Sequence, residues 1–203
     1  MVCGSARGMT SLVAYVLYEL NYFIGHDLQE QNFEDLDFLD TLVGYGMLPK
    51  RLARRKDLRN LIGKRNREHV RYGFKTPDAV FCLKELVPLL RDPIVVLCVR
   101  NPVATGRSIM TRNPKVKGGI TQALNKAIAA NSAITYLLDD APCPSLVVNM
   151  DEAQRQPSVF LTELMTALGL EGDTEAIVRK ISRKSYKSST PREGVTFHSS
   201  RKR

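Results

Sequence analysis

Two short stretches of the chain carry residue types that could hold an anion. In the first, Val2-Cys3-Gly4-Ser5-Ala6-Arg7-Gly8-Met9-Thr10-Ser11, two glycines stand four apart, with a basic residue between them and two hydroxyls behind. A strand, a glycine loop and a helix in that order make an anion site from backbone alone: the N–H groups of loop and first helical turn converge, and the helix dipole adds positive potential. Arg7 adds a full charge, and Thr10 or Ser11 a hydroxyl donor. The plainer alternative is a tight strand-to-helix turn with Thr10 as the helix N-cap. A nucleotide-triphosphate loop would end in Gly-Lys-Ser/Thr, whereas Gly8 is followed by Met9 and Thr10, so a P-loop nucleotide kinase is disfavoured. The second stretch is Arg100-Asn101-Pro102-Val103-Ala104-Thr105-Gly106-Arg107-Ser108. It puts Arg100 at the carboxyl end of the clearest strand, where open α/β sheets bind ligands, and Ser108 on the following helix. A guanidinium fork beside a neutral donor suits a phosphate monoester; a strand-end Arg paired with a local carboxylate is the alternative.

The elements that would position these residues alternate between short apolar runs and helical patterns, which implies an α/β domain with a short, mainly parallel sheet flanked by helices. Met1–Cys3 is a first strand, and Thr10–Tyr22 has apolar residues at helical spacing. Residues 25–32 form a polar connection, and Phe33–Val43 returns to a helical pattern. Residues 49–71 are helix-compatible with an interruption at Gly63, Tyr72–Phe74 is a short strand, and a helix runs from Pro77 to Leu90. The run 93–100, Pro-Ile-Val-Val-Leu-Cys-Val-Arg, is a buried β-branched strand. Helices over 103–111 and 121–138, a last strand over 145–150, and helices over 158–168 and 174–181 complete a single domain spanning 1–181. Residues 182–203 are basic, rich in Ser and Thr and poor in apolar residues, and imply a weakly ordered tail.

The chain's 203 residues suffice for one well-buried core. The net charge of +9 is uneven: residues 48–71 carry +8, residues 179–203 carry +8 and the remainder −7. A neutral-to-acidic body bearing two basic segments favours an anionic partner. Cys3, Cys82, Cys98 and Cys143 lack paired spacing and read as reduced core residues. His26, His69 and His198 show no ligand spacing, so no metal is expected. A cytoplasmic protein without transmembrane segment is expected, since no leader pattern precedes the first strand and the apolar stretch 12–25 is short and contains Glu19.

Taken together, the two anion motifs resemble the sulfotransferases that use 3′-phosphoadenosine 5′-phosphosulfate (PAPS), which have a three-layer P-loop-type fold. Arg7-Gly8-Met9-Thr10-Ser11 aligns without a gap with the family's 5′-phosphosulfate loop, and Arg100-Asn101-Pro102 with Ser108 matches its 3′-phosphate motif. Residues 74–81, Phe-Lys-Thr-Pro-Asp-Ala-Val-Phe, are similar to the Lys-Ser/Thr-Pro segment of the carbohydrate-type members, whose lysine contacts the transferring group. Asn32-Phe33-Glu34-Asp35 resembles a stretch common in bacterial members, and Asp151-Glu152 stands where the family has a strand-end acidic pair. The resemblance spans residues 1 to about 170. Met9 departs from it, standing where a glycine is usual, and there is no tryptophan to stack on adenine. Arg192-Glu193-Gly194 represents the basic-glycine segment that closes over the 3′-phosphate.

The resemblance implies sulfuryl transfer from PAPS, without a metal, to a hydroxyl or amine of a small molecule, glycan or lipid. By analogy with phosphoryl transfer, positioning and electrostatics supply most of the catalysis. Arg7 and Lys75 would stabilise the leaving oxygen. Gly8, Met9, Thr10, Ser11, Arg100, Ser108 and Arg192 would bind the nucleotide. Glu34 is the first choice for general base, Asp35 the second and His26 the third. For Asn32-Phe33-Glu34-Asp35 the plainer alternative is an N-cap at Asn32 with acids in the first turn, and Lys75 could be a surface lysine. The basic segment 48–71 suggests an anionic saccharide or lipid headgroup, but no nucleic acid, because aromatic residues and binding motifs are lacking there. The alternative function is a non-catalytic nucleotide-binding module of the same fold.

Overall fold

The computed structural model describes residues 1–43, 52–115, 118–140 and 143–199. Its sheet is parallel and built around the two motif-bearing strands. β1 (Val2–Gly4) pairs with β3 (Val95–Val99), which pairs in turn with β4 (Ser145–Asn149). On its other edge β1 is bridged by Lys75: Val2 N–H donates to the Phe74 carbonyl at 3.0 Å and Thr76 N–H to the Val2 carbonyl at 3.1 Å. The strand expected over 72–74 is thus reduced to one parallel bridge, one residue later. Chain order therefore runs from β1 first to this segment on one side, then across to β3 on the other. The reversal makes the carboxyl ends of β1 and β3 a topological switch point, where loops diverge and leave a crevice.

Alternation along the strands divides the core between the two faces of the sheet. Val2, Val96 and Cys98 face helices α1 (Thr10–Glu19), α8 (Pro157–Leu168) and α9 (Glu175–Ser182). Cys3, Val95 and Leu97 face the other way, toward Phe74, Leu86 and helix α6 (Gly119–Asp139), which brings Ala130 and Ile134. The molecule is an α/β structure with a small parallel sheet flanked by helices, and among the described residues no helix is long and apolar enough to cross a membrane.

Several elements differ from the sequence expectation. The connection over 25–32 contains β2 (Asp27–Gln29), which pairs in parallel with β5 (Thr196–His198). Helix α2 starts later than expected, at Leu36 (Leu36–Val43), because Asp35 caps it, accepting from Asp37 N–H at 2.9 Å; Asn32 instead bonds Gln29. Helix α3 (Lys56–Glu68) passes through Gly63 unbroken, and residues 49–51 of that basic stretch lie outside the described residues. The helix expected from Pro77 to Leu90 is broken into short turns around α4 (Leu83–Leu86).

The C-terminal segment departs most from expectation. Residues 183–199, expected as a weakly ordered tail, lie along α1, whose Tyr15 and Tyr18 offer an aromatic face. Tyr186 is buried with its ring 6.0 Å from that of Tyr15, Tyr18 donates its hydroxyl to the Thr190 carbonyl at 2.9 Å, and Phe197 meets Tyr18 edge-on at 5.4 Å. A few aromatic anchors bury enough area to hold a segment whose composition is otherwise polar. Residues 200–203 lie outside the described residues.

Candidate anion-binding cleft

The loop after β1 has unusual backbone. Arg7 (φ 65°) and Met9 (φ 62°) are both left-handed, a conformation costing roughly 1–2 kcal/mol for a residue with a side chain. Gly8 between them is required by space: a Cβ there would lie 2.7 Å from the Ser5 carbonyl oxygen, which accepts from Gly8 N–H at 2.8 Å. Met9 is the N-cap of α1 and makes no side-chain cap bond, so Thr10 is the first helical residue and not the cap. A left-handed residue followed by a helical one turns successive N–H groups toward one side, and the amides of Thr10 and Ser11 have no acceptor within the helix.

The second motif is shaped by its Asn-Pro pair. Asn101 accepts through Oδ1 from Val103 N–H (2.8 Å) and Ala104 N–H (3.2 Å), capping α5 (Pro102–Arg112), and Pro102 occupies the first helical position. α5 therefore starts immediately past Arg100 and carries Ser108 back over the β1 loop. Arg7 Nε donates to Ser108 Oγ at 3.2 Å, and Arg100 Nη1 donates to the Arg7 carbonyl at 2.9 Å. The two motifs, distant in sequence, are in direct contact. Arg100 also has a carboxylate neighbour, Asp151 of α7 (Met150–Arg155), 3.5 Å from its Nε; Asp151 accepts from Asn101 N–H at 2.7 Å as well. The strand-end arginine thus has the local carboxylate partner of the alternative reading, and it also faces the loop of the first motif.

Between these elements opens a cleft of about 490 Å³. Arg7, Met9, Thr10, Ser11, Glu34, Lys75, Arg100 and Ser108 all line it, and Gly8 lies in its loop. Five further lining residues escaped the sequence reading: Arg112, Lys184, Tyr186, Lys187 and Gln154. Arg112 was visible in principle, one helical turn beyond Ser108 on the same face. Charge in the cleft is lopsided. Among the described residues no carboxylate lies within ion-pair distance of Arg7, Arg112, Lys184 or Lys187. Burial first, then the Arg112 guanidinium, holds the Arg7 side chain below the usual arginine range, and burial followed by Arg7 and Arg112 does the same to Lys187. Such mutual repulsion between cations in a crevice is relieved by an anion.

No protein-family model matches the chain, and no curated protein matches it either. The site's chemistry therefore rests on its own geometry.

Lys75 and Glu34 occupy the far side of the cleft as a pair. Lys75 Nζ donates to Glu34 Oε1 at 2.6 Å, with the lysine side chain only 3% exposed and the glutamate 13%. Lys75 is thus no surface lysine; burial lowers its pKa, with Glu34 opposing. Asp78 sits nearby, its carboxyl raised by burial and then by Glu34.

Three expected residues are elsewhere. Asp35 is buried away from the cleft against Arg65, whose Nη2 donates to Asp35 Oδ2 (3.1 Å) and to Asp37 Oδ2 (2.8 Å). Burial pushes the Asp35 carboxyl up to about 6, with Arg65 opposing. This pairing also shows that part of the basic segment serves the fold and not a ligand. His26 lies beside Phe23 and His69, with its Nδ1 3.0 Å from the Gly194 carbonyl oxygen. Arg192 is at the opposite end of α1 from the loop: its guanidinium lies over Tyr18 at 4.3 Å and donates to the Glu19 carbonyl and to Asn21, both at 3.0 Å. It satisfies a helix C-terminus and does not reach the cleft.

Proposed function

We infer that the chain is a PAPS-dependent sulfotransferase with a P-loop-type fold, moving a sulfuryl group to a hydroxyl or amine by in-line displacement. The observation that carries this reading is the contact between the two motifs: Arg7, Arg100 and Ser108 meet in one cleft with Arg112, and the described acids leave most of its cations uncompensated. A donor with phosphates at both ends of a ribose matches two adjoining anion subsites. The loop amides and Arg7 would hold one of them and Arg100 with Ser108 the other. The fit is supported by the free amides at the start of α1 and by Tyr186, an aromatic surface in the cleft of a chain without tryptophan.

Lys75 and Glu34 supply the reactive side. Lys75 brings a buried positive charge to the cleft, suited to charge developing on a leaving oxygen, while Glu34 is a carboxylate within the same cleft that can take the acceptor's proton. The pair holds both side chains in place before substrate arrives.

A cation-lined cleft is equally what a non-catalytic nucleotide-binding module would need, and Met9 favours that rival because its side chain lines the cleft at a position whose φ of 62° suits glycine. Calorimetry with 3′,5′-bisphosphoadenosine, without magnesium and alongside ATP and 5′-AMP, tests the donor. Micromolar binding that needs the 3′-phosphate and weakens in Arg100→Ala supports it. No binding, or an equal preference for ATP with magnesium, removes the sulfotransferase reading. Turnover of PAPS with any acceptor then separates enzyme from module.

A further inference from the structure

Away from the anion cleft, the fold brings His26 to two ligand-type side chains, Glu68 and His69, that are neighbours in sequence and lie more than 40 residues further along. His26 directly precedes β2, Glu68 is the last residue of α3 and His69 its C-cap. One ligand atom from each lies within 4.8 Å of the other two. Phe23 sets both imidazoles: His69 stacks on its ring at 3.7 Å and 16°, and His26 meets its edge at 4.8 Å and 66°.

Two further observations point to a ligand. A carbonyl oxygen only accepts, so the 3.0 Å contact of His26 Nδ1 with the Gly194 carbonyl places the proton on Nδ1, and the neutral ring keeps its lone pair on Nε2. A backbone carbonyl behind the non-coordinating nitrogen is how metal-bound imidazoles are commonly oriented. His69 Nε2, for its part, is shut off from water and has no hydrogen-bond partner, which a coordinated cation would remedy. Arg65 and Arg91 bring positive charge near the cluster but are already bonded: Arg91 donates to the His69 and Val70 carbonyls at 2.9 and 2.8 Å. Arg65 is covered by both Asp35 and Asp37, and Glu68 adds a carboxylate whose competing partner, Lys64, is solvent-exposed and 4.0 Å away.

We propose that His26, Glu68 and His69 form a site for a divalent transition-metal ion of the zinc class. Two imidazoles and one carboxylate leave the fourth tetrahedral position to water. Bonds of about 2.0–2.2 Å set ligand atoms ~3.4 Å apart; rotation of the exposed Glu68 side chain, with a small tilt of His26 about its Nδ1 contact to Gly194, closes the present gap. The ion ties the end of α3 to the loop before β2. Through the Gly194 contact, and through Thr196 N–H donating to the His26 carbonyl at 2.7 Å, it also fastens the C-terminal segment. Its role is that of a staple, independent of the sulfotransferase reading because none of its ligands lines the anion cleft.

The test uses the untagged full chain, stripped with chelator and titrated with zinc chloride by calorimetry, with cobalt chloride as a spectroscopic probe. The expected result is one ion per chain with micromolar affinity, four-coordinate visible bands from cobalt, and slower proteolysis of the C-terminal segment with zinc present. His26→Ala and His69→Gln each weaken zinc binding by more than the roughly 10–100-fold that loss of an outer-shell partner costs, and abolish the protection. His198→Ala, at a histidine paired with Asp27 at 2.7 Å outside the cluster, leaves binding unchanged. Circular dichroism and urea unfolding check that each variant is folded. Absence of saturable zinc binding in the micromolar range, or binding that survives in both folded His26 and His69 variants, overturns the proposal.

Discussion

Replacing Arg112 with alanine should weaken anion binding while leaving the fold slightly more stable. Arg112 ends α5, is exposed, and among the described residues has no carboxylate within ion-pair distance. Its charge acts on two like charges, Arg7 and Lys187. Unit charges 4 Å apart interact by about 1 kcal/mol in bulk water and about 4 at an effective dielectric of 20. Arg7 is only half-buried and Arg112 is exposed, so screening reduces the repulsion to about 0.5 kcal/mol. The substitution removes that repulsion and sacrifices no hydrogen bond or ion pair to another of the described residues, so the chain should gain about 0.5 kcal/mol against urea. A guanidinium contact to a phosphate contributes about 1.5–3 kcal/mol when well formed. Taking the lower end for an exposed arginine predicts roughly tenfold weaker binding of 3′,5′-bisphosphoadenosine. The salt dependence should fall with it, since one fewer charge faces the ligand. Urea titration and calorimetry at two salt concentrations measure both quantities on one variant. A loss of more than about 1 kcal/mol of stability would make Arg112 a structural residue. Undiminished affinity would mean that the cleft's cations do not act together, and the reasoning would fail.

Three further outcomes are expected. Met9→Gly should be close to neutral in stability, because relief of about 1 kcal/mol of left-handed strain offsets the loss of a partly buried side chain, and it should tighten binding of 3′,5′-bisphosphoadenosine if the methionine narrows the loop; weaker binding in calorimetry would contradict that. Arg65→Met should cost about 3–5 kcal/mol at neutral pH, since it leaves Asp35 buried without its partner. Burial already raises Asp35 to about 6, and losing Arg65 raises it further, so the variant takes up the proton at higher pH than the parent. The deficit should shrink as pH falls from 7 through about 6 and stay level below that, where both folded states hold the proton; thermal denaturation of both proteins against pH reads this, and a deficit that grows toward acid would refute it. Arg192→Ala should leave nucleotide affinity unchanged and cost about 1 kcal/mol, the worth of its carbonyl bond and its stacking on Tyr18; reduced affinity would return this residue to the cleft.

Half of the cleft was legible in the sequence because its geometry is local. Gly8 is forced by the Ser5 carbonyl, the Asn-Pro pair starts α5 at a fixed distance from Arg100, and a helix then delivers Ser108 by its own periodicity. Each of these follows from residues within about two helical turns of one another. What sequence could not disclose depends on pairing across the chain. β2 and β5 are three-residue strands without an apolar run, and exist only because they pair with each other. The C-terminal segment reads as a solvated basic tail until Tyr15 and Tyr18 are seen to need covering, and then Tyr186 and Phe197 become its anchors. Of the three acids and bases proposed from position alone, only Glu34 faces the cleft. Asp35, its neighbour, points to the other side and serves Arg65, so two adjacent carboxylates divide into one facing the cleft and one fastening α3 through Arg65. That division has a consequence for reading variants: loss of function at Asp35 will come with loss of stability, and at Glu34 it should not exceed what Lys75 loses by being left unpaired. Asymmetry between these neighbours, measured as activity per folded molecule, is therefore a sharper test of the catalytic assignment than activity alone.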